Sequence, residues 1–157
     1  MLKILLSGLV AASLATVGCG NDAEENAKYD FTGMWMGALS SASVTCSDGS
    51  SVQAESSQVS FTIMTAGNSQ IFWHAKCGDL YFDQHGNIAT QSRAVTCPPT
   101  TTPTSLVTGT IRDTALVLNG NALQVDLFTD YTVAASGKTG SCKNIHASGV
   151  LVRTGGK

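Results

Sequence analysis

The stretch Thr114-Ala115-Leu116-Val117-Leu118-Asn119-Gly120-Asn121-Ala122-Leu123-Gln124-Val125-Asp126-Leu127 decides how this chain folds. Leu123, Val125 and Leu127 alternate with Gln124 and Asp126, the two-residue period of a strand with one buried face. A second apolar run, 114–118, precedes it, and the Asn119-Gly120 pair between them tolerates the positive φ angles of a type I′ turn. With the turn centred there, Val117 pairs with Ala122 and Leu116 with Leu123 in an antiparallel hairpin.

The same period recurs outward from this hairpin. Val59, Phe61 and Ile63 share one face of a run at 58–65, and Ile71, Trp73 and Ala75 share one face of a run at 70–76. Further strand-like runs cover 31–44, 79–82, 87–96, 104–112, 122–133 and 144–153, separated by Gly, Asn, Asp and Ser clusters. No segment carries a 3.6-residue apolar stripe, so the expectation is an all-β domain, an antiparallel up-and-down meander of eight or nine strands. Prolines lack a donor N–H, so the segment 98–103, Pro-Pro-Thr-Thr-Thr-Pro, is expected as an exposed extended loop outside any central ladder.

Cysteine usage constrains the closure of that meander. Setting aside Cys19 leaves Cys46, Cys77, Cys97 and Cys142, an even set that in an oxidising compartment implies two disulfides, with three possible connectivities. The register selects one. Cys77 and Cys97 are equidistant from Asn87, beside the turn-like Gln84-His85-Gly86-Asn87, and folding that hairpin sets the two sulfurs opposite each other. Cys46, ending the first strand, is then left for Cys142, starting the last, and these strands are neighbours if the sheet closes. A closed barrel is therefore favoured over a two-sheet sandwich. Zinc is disfavoured, because no Cys-x-x-Cys pair exists.

The N-terminus supplies an address. Lys3 is followed by an apolar stretch, 4–17, too short for a comfortable membrane span of roughly 20 residues but suited to a signal-peptide core. Ala15-Thr16-Val17-Gly18-Cys19 resembles the lipobox of bacterial lipoproteins, departing from it at Thr16, where Leu is usual. That resemblance implies a signal peptide at 1–18 and lipidation of Cys19, which becomes the mature N-terminus. Gly20 takes the place where an Asp would signal inner-membrane retention, so the outer membrane of the bacterial cell envelope is favoured. Residues 19–30 are polar and acidic without periodicity and are expected to be the lipidated N-terminus and a tether, with a single domain at 31–157. Removing 18 of the 157 residues leaves 139, enough for one core. Loss of Lys3 takes the formal charge from −2 to −3, with no basic run, which disfavours nucleic acid as a partner.

Two broader likenesses follow. Phe31-Thr32-Gly33-Met34-Trp35 resembles the Gly-x-Trp signature on the first strand of lipocalins, and Arg153 lies where that superfamily often packs a basic residue over the Trp. The resemblance implies a lipocalin-like barrel closed at one end by a Trp35–Arg153 cation–π pair. Along the whole mature chain, the order of Gly-x-Trp strand, Cys-flanked hairpin, Asn-Gly hairpin and Cys-bearing last strand ending in Arg resembles small lipoproteins of myxobacteria and related deltaproteobacteria, a family that implies a location and no established activity.

Catalytic chemistry finds little support in the sequence. His74, His85 and His146 could meet Asp79, Asp83 or a serine, but no spacing selects such a set, and neither HExxH, Gly-x-Ser-x-Gly, a P-loop nor a calcium loop is present. His74 alternates opposite Trp73 and is expected to face solvent. No catalytic residue, metal or cofactor is expected. Two readings lead: an envelope lipoprotein with a structural or protein-interaction role, or a lipocalin-like binder of a small apolar or lipidic ligand; an enzyme stands third. Lumen filling separates the first two, since Gly37, Gly109, Ala147 and Gly149 would either leave a cavity or let Trp35, Phe61 and Trp73 fill a narrow one.

Overall fold

The computed structural model describes residues 22–67, 69–135 and 137–155, so the signal peptide at 1–18 and Cys19 lie outside the described residues. A short helix, α1 (Asp22–Asn26), precedes twelve strands: β1 (Gly33–Ser41), β2 (Val44–Thr45), β3 (Ser51–Val52), β4 (Glu55–Thr65), β5 (Gln70–Ala75), β6 (Gly78–His85), β7 (Ile88–Gln91), β8 (Val95–Thr96), β9 (Thr100–Thr101), β10 (Leu106–Asn119), β11 (Ala122–Ala135) and β12 (Lys138–Gly155). All pairings are antiparallel, as the meander reading expects.

Ten strands share one sheet, in the order β11-β12-β1-β4-β5-β6-β7-β10-β8 with β9 beside β10. Because β10 also pairs with β11, the hydrogen-bonded order of the eight longer strands returns to its start. The seam between β7 and β10 is short, limited to Ala115↔Thr90, Leu116↔Ala89 and Val117↔Ile88. Strands β2 and β3 form a separate small hairpin.

Inward alternation fills the space the strands enclose. Trp35, Leu80, Phe82, Leu116, Leu123 and Leu151 are fully buried, and the Phe61 ring stacks on Trp73 with centroids 3.8 Å apart. Apolar side chains of this size contribute about 1.5–3 kcal/mol each on burial, so the alternation seen in the sequence is what selects the inner face.

Several expected boundaries shift, each for a local reason. The runs at 104–112 and 114–118 are one strand, β10, interrupted only by a bulge between Ile111 and Asp113. The run at 87–96 is instead broken after Gln91, where the chain leaves β6 and rejoins the sheet as β8 alongside β10. The decisive hairpin turns one residue later than expected: Asn119 pairs with Ala122 and Leu118 with Leu123, so Gly120 and Asn121 make the turn. Only Gly120 of these two has a positive φ, 61°, the signature of a type II′ rather than a type I′ turn. The shift sets Leu118 opposite Leu123 and Leu116 opposite Val125, pairing four buried apolar residues where the expected register would have put Leu118 against Asn121. The segment 98–103 is not wholly a free loop, because Thr100 and Thr101 pair with Val107 and Leu106 at the sheet edge; the prolines fall between β8 and β9, where no ladder donor is needed.

Both disulfides join the expected partners, Cys46–Cys142 and Cys77–Cys97. The route to the second differs from simple continuation of the β6–β7 hairpin. That ladder ends at Phe82↔Gln91, and Cys97 arrives on the far side of β8, its N–H donating to the carbonyl of Gly109 at 2.8 Å, while Val95 lies against Gly78.

Candidate functional site

The end of the barrel that carries the β6–β7 and β10–β11 turns is covered by the chain preceding β1. The expected tether over 19–30 is corrected here, because its described part, 22–30, is fastened to the barrel. Asn26 is 5% exposed; its Nδ2 donates to the Gln84 carbonyl at 2.9 Å and its Oδ1 accepts from the Gly86 N–H at 2.7 Å. Gln84 answers with Nε2, donating to the carbonyls of Asn26, Tyr29 and Gly86. A carboxamide presents both a donor and an acceptor, so two of them knit the N-terminal segment to the β6–β7 turn without leaving a buried polar atom of that network unpaired. Phe31 then inserts into the core, and its carbonyl accepts from the Trp35 indole N–H at 2.8 Å.

Arg153, near the C-terminal end of β12, lies over Trp35 with its guanidinium carbon 4.8 Å from the ring centroid. The same guanidinium donates to the Asp30 backbone carbonyl and pairs with the Asp30 carboxylate at 3.3 Å. Register explains the meeting: Trp35 and Arg153 are direct partners across the β1–β12 ladder, next to an irregularity at Met34/Trp35. Burial pushes the Asp30 carboxyl up, but hydrogen bonds from the Thr32 hydroxyl and N–H and from Arg153 outweigh it and hold the group below its ordinary 3.8. Nothing in the sequence patterning singles out Asn26, Asp30 or Gln84, because the contacts that give them a role span up to 123 positions of chain.

A second polar cluster lies where the pairing of the three long strands is irregular. Arg112, the extra residue of the β10 bulge, pairs through Nε with Asp130 at 3.2 Å and donates to the Asn144 Oδ1 at 2.6 Å, while the Asn144 N–H donates to Asp130 at 2.8 Å. Asn144 has φ 58°, a left-handed conformation Asn accepts more readily than most residues. Asp130 takes the Asn144 N–H where the β11–β12 ladder is irregular, and the cluster ties β10, β11 and β12 at one level.

The histidines are scattered. His74 is exposed and its Nδ1 lies 2.5 Å from Asp79; His146 stacks on Phe128 and contacts Asp126 at 3.0 Å. Asp83 accepts from Gln70, and that bond with one from Ser92 lowers its pKa, with the His85 charge adding to the effect. Among the described residues no group of three or more His, Cys, Asp or Glu side chains is placed to hold a metal, and no helix is long and apolar enough to cross a membrane.

Of the small residues that bear on lumen filling, the three glycines have their space occupied. A Cβ on Gly37 would lie 2.7 Å from the Val150 carbonyl oxygen, one on Gly149 2.0 Å from that of Ala38, and one on Gly109 3.0 Å from the Tyr131 ring. These positions are points of close approach between neighbouring strands and side chains, and they open no channel. A cleft of about 300 Å³ lies at the covered end between the N-terminal segment and the β4–β5 connection, lined by Ala27, Tyr29, Thr65 and Gly67 among others.

Fold and site together define a class: an all-β, antiparallel meander, braced by two disulfides and covered at one end by its own N-terminal segment. No protein-family model, curated protein or solved structure matches the chain.

Proposed function

We propose that the chain is a lipid-anchored protein of the bacterial cell envelope, with the outer membrane favoured, whose β domain is a structural or protein-contacting module. The observation that carries the module reading is the filled interior. Trp35, Phe82, Leu80 and Leu123 occupy the centre with no more than 2% exposure, and Phe31 stoppers one end. A carrier of a small apolar ligand needs several hundred Å³ of enclosed, largely apolar space, and the glycines that could have supplied it are taken up by backbone and ring contacts. The anchoring half of the reading rests on the lipobox-like 15–19 stretch, and pairing of all four domain cysteines suits an oxidising compartment.

Native mass spectrometry of residues 20–157, exported to a periplasm without the anchor and followed by solvent extraction, tests the module half of the reading. The expected result is the bare protein mass with no uptake of fluorescent fatty acid. A stoichiometric apolar adduct would instead establish the lipocalin-like binder.

A further inference from the structure

We propose that the β12–β1–β4 wall, at the end where the N-terminal segment is fastened, is a lipid-contacting surface that lays the anchored domain against its membrane. The inference rests on the proposed lipidation of Cys19 and goes beyond it by assigning an orientation and a face.

The outward positions of three neighbouring strands change character along their length. On β1 they read Met34, Met36, Ala38, Ser40 going away from the covered end; on β12, Val152, Val150, Ser148, His146; on β4, Met64, Thr62, Ser60, Gln58. On β1 and β12 the change to polar falls at one level, Ser40 opposite Ser148, whereas β4 contributes only Met64 beyond Thr62, and Thr154 follows Val152 at the rim. Register joins the apolar positions into one patch. Met36 is directly opposite Val152, and Met34 is opposite Thr62, one diagonal step from Met64. Val150 and Val152 are 61% and 55% exposed, and Met34 and Met36 are each 44% exposed. Elsewhere on these strands Ser and Thr occupy the outer face, so the patch is a departure from the chain's own pattern, and contiguous exposed apolar surface marks a contact site.

The position of the anchor says what covers it. Asn26 is fixed at the same end of the barrel, and Cys19 precedes α1 by three residues. The reach of three chain positions and the five residues of α1 sets an upper bound of roughly 17 Å between Cys19 and Asn26. A lipid on Cys19 thus brings the bilayer to the end of the molecule where the patch lies. Tyr29, 37% exposed at that rim, adds an amphipathic ring of the kind favoured at membrane interfaces. The far end, with exposed Leu106 and Tyr131 on β10 and β11, lies roughly 50 Å along the 18-residue β12 from the anchored end and outside the patch.

Hydroxyl-radical footprinting of the full mature protein tests this, on vesicles of phosphatidylethanolamine and phosphatidylglycerol and, for comparison, as the chain beginning at Gly20 free in solution. Intact mass is recorded first. With the lipid attached, labelling of Met34, Met36, Met64, Val150 and Val152 is expected to fall at least ~3-fold on vesicles while Leu106 and Tyr131 label as in solution. The double variant Val150→Ser/Val152→Ser, whose side chains point outward and leave the core intact, is expected to restore labelling of Met36 on vesicles. A mature mass without lipid overturns the anchoring reading and this inference with it. A lipidated protein whose patch and far end label equally overturns the inference alone, and protection of the patch in the free chain reassigns it to contact between copies of the protein.

Discussion

A Cβ on Gly149 would sit 2.0 Å from the Ala38 carbonyl oxygen, and one on Gly37 2.7 Å from that of Val150, so glycine at these places is set by how closely β1 and β12 approach. The obstacle is backbone on both sides and cannot swing away. Gly149→Ala is expected to destabilise the fold by ~3 kcal/mol or more in urea denaturation, by forcing the two strands apart. Gly109→Ala meets the movable Tyr131 ring at 3.0 Å, with the Cys97 sulfur in ordinary contact at 3.7 Å, and is expected to cost ~1 kcal/mol. Asp30 carries the pH dependence legible at single-residue scale. Its folded pKa is below 3.8, so its contribution is complete above that pH and is lost as pH falls through the lower folded value. Urea midpoints measured across that acid range should fall less steeply for Asp30→Asn than for the parent chain. Asp48, lowered by the Ser50 hydroxyl and N–H, and Asp83 retain their own share of the acid sensitivity.

Among the elements, strands were the most legible part of the sequence, because alternation reports which face is buried wherever one face meets a core. Phe61 and Ile63 on β4, Ile71 on β5, and Leu123 and Val125 on β11 are all buried as the period requires. Breaks between strands were harder to place. A bulge at Arg112 leaves the alternation of β10 looking like two strands, although one continuous chain of pairs joins it to β11. The turn at Gly120-Asn121 was offset by one residue from the Asn119-Gly120 signal, because pairing Leu118 with Leu123 outweighs the local preference of Asn for the first turn position. The disulfides act at this scale too. Cys46–Cys142 spans 96 positions and Cys77–Cys97 spans 20, so the chain-entropy relation gives about 4.7 and about 3.3 kcal/mol. Replacing each pair by alanine should lower the urea midpoint more for Cys46/Cys142, and calorimetry in the absence of reductant checks the order.

At the scale of the whole molecule, the N-terminal segment is part of the folded domain. Asn26→Ala leaves the Gly86 N–H and the Gln84 carbonyl without their partner, and is expected to cost ~2–3 kcal/mol and to raise amide exchange at Gly86 and through 26–31 ahead of the rest of the barrel. Local periodicity in the sequence sufficed for the all-β class and the inner faces of the principal strands. Equal spacing about the turn pointed to the right cysteine partners, although Cys97 reaches Cys77 by way of β8 and Cys46–Cys142 joins positions 96 apart. The docking of residues 26–30, the bridge of Arg153 between Trp35 and Asp30, and the close approaches at Gly37 and Gly149 are visible in the assembled fold alone. Those features arise from side chains and backbones brought together across a hundred or more positions, where the energy of a contact depends on what the rest of the fold places opposite, and no local pattern records it.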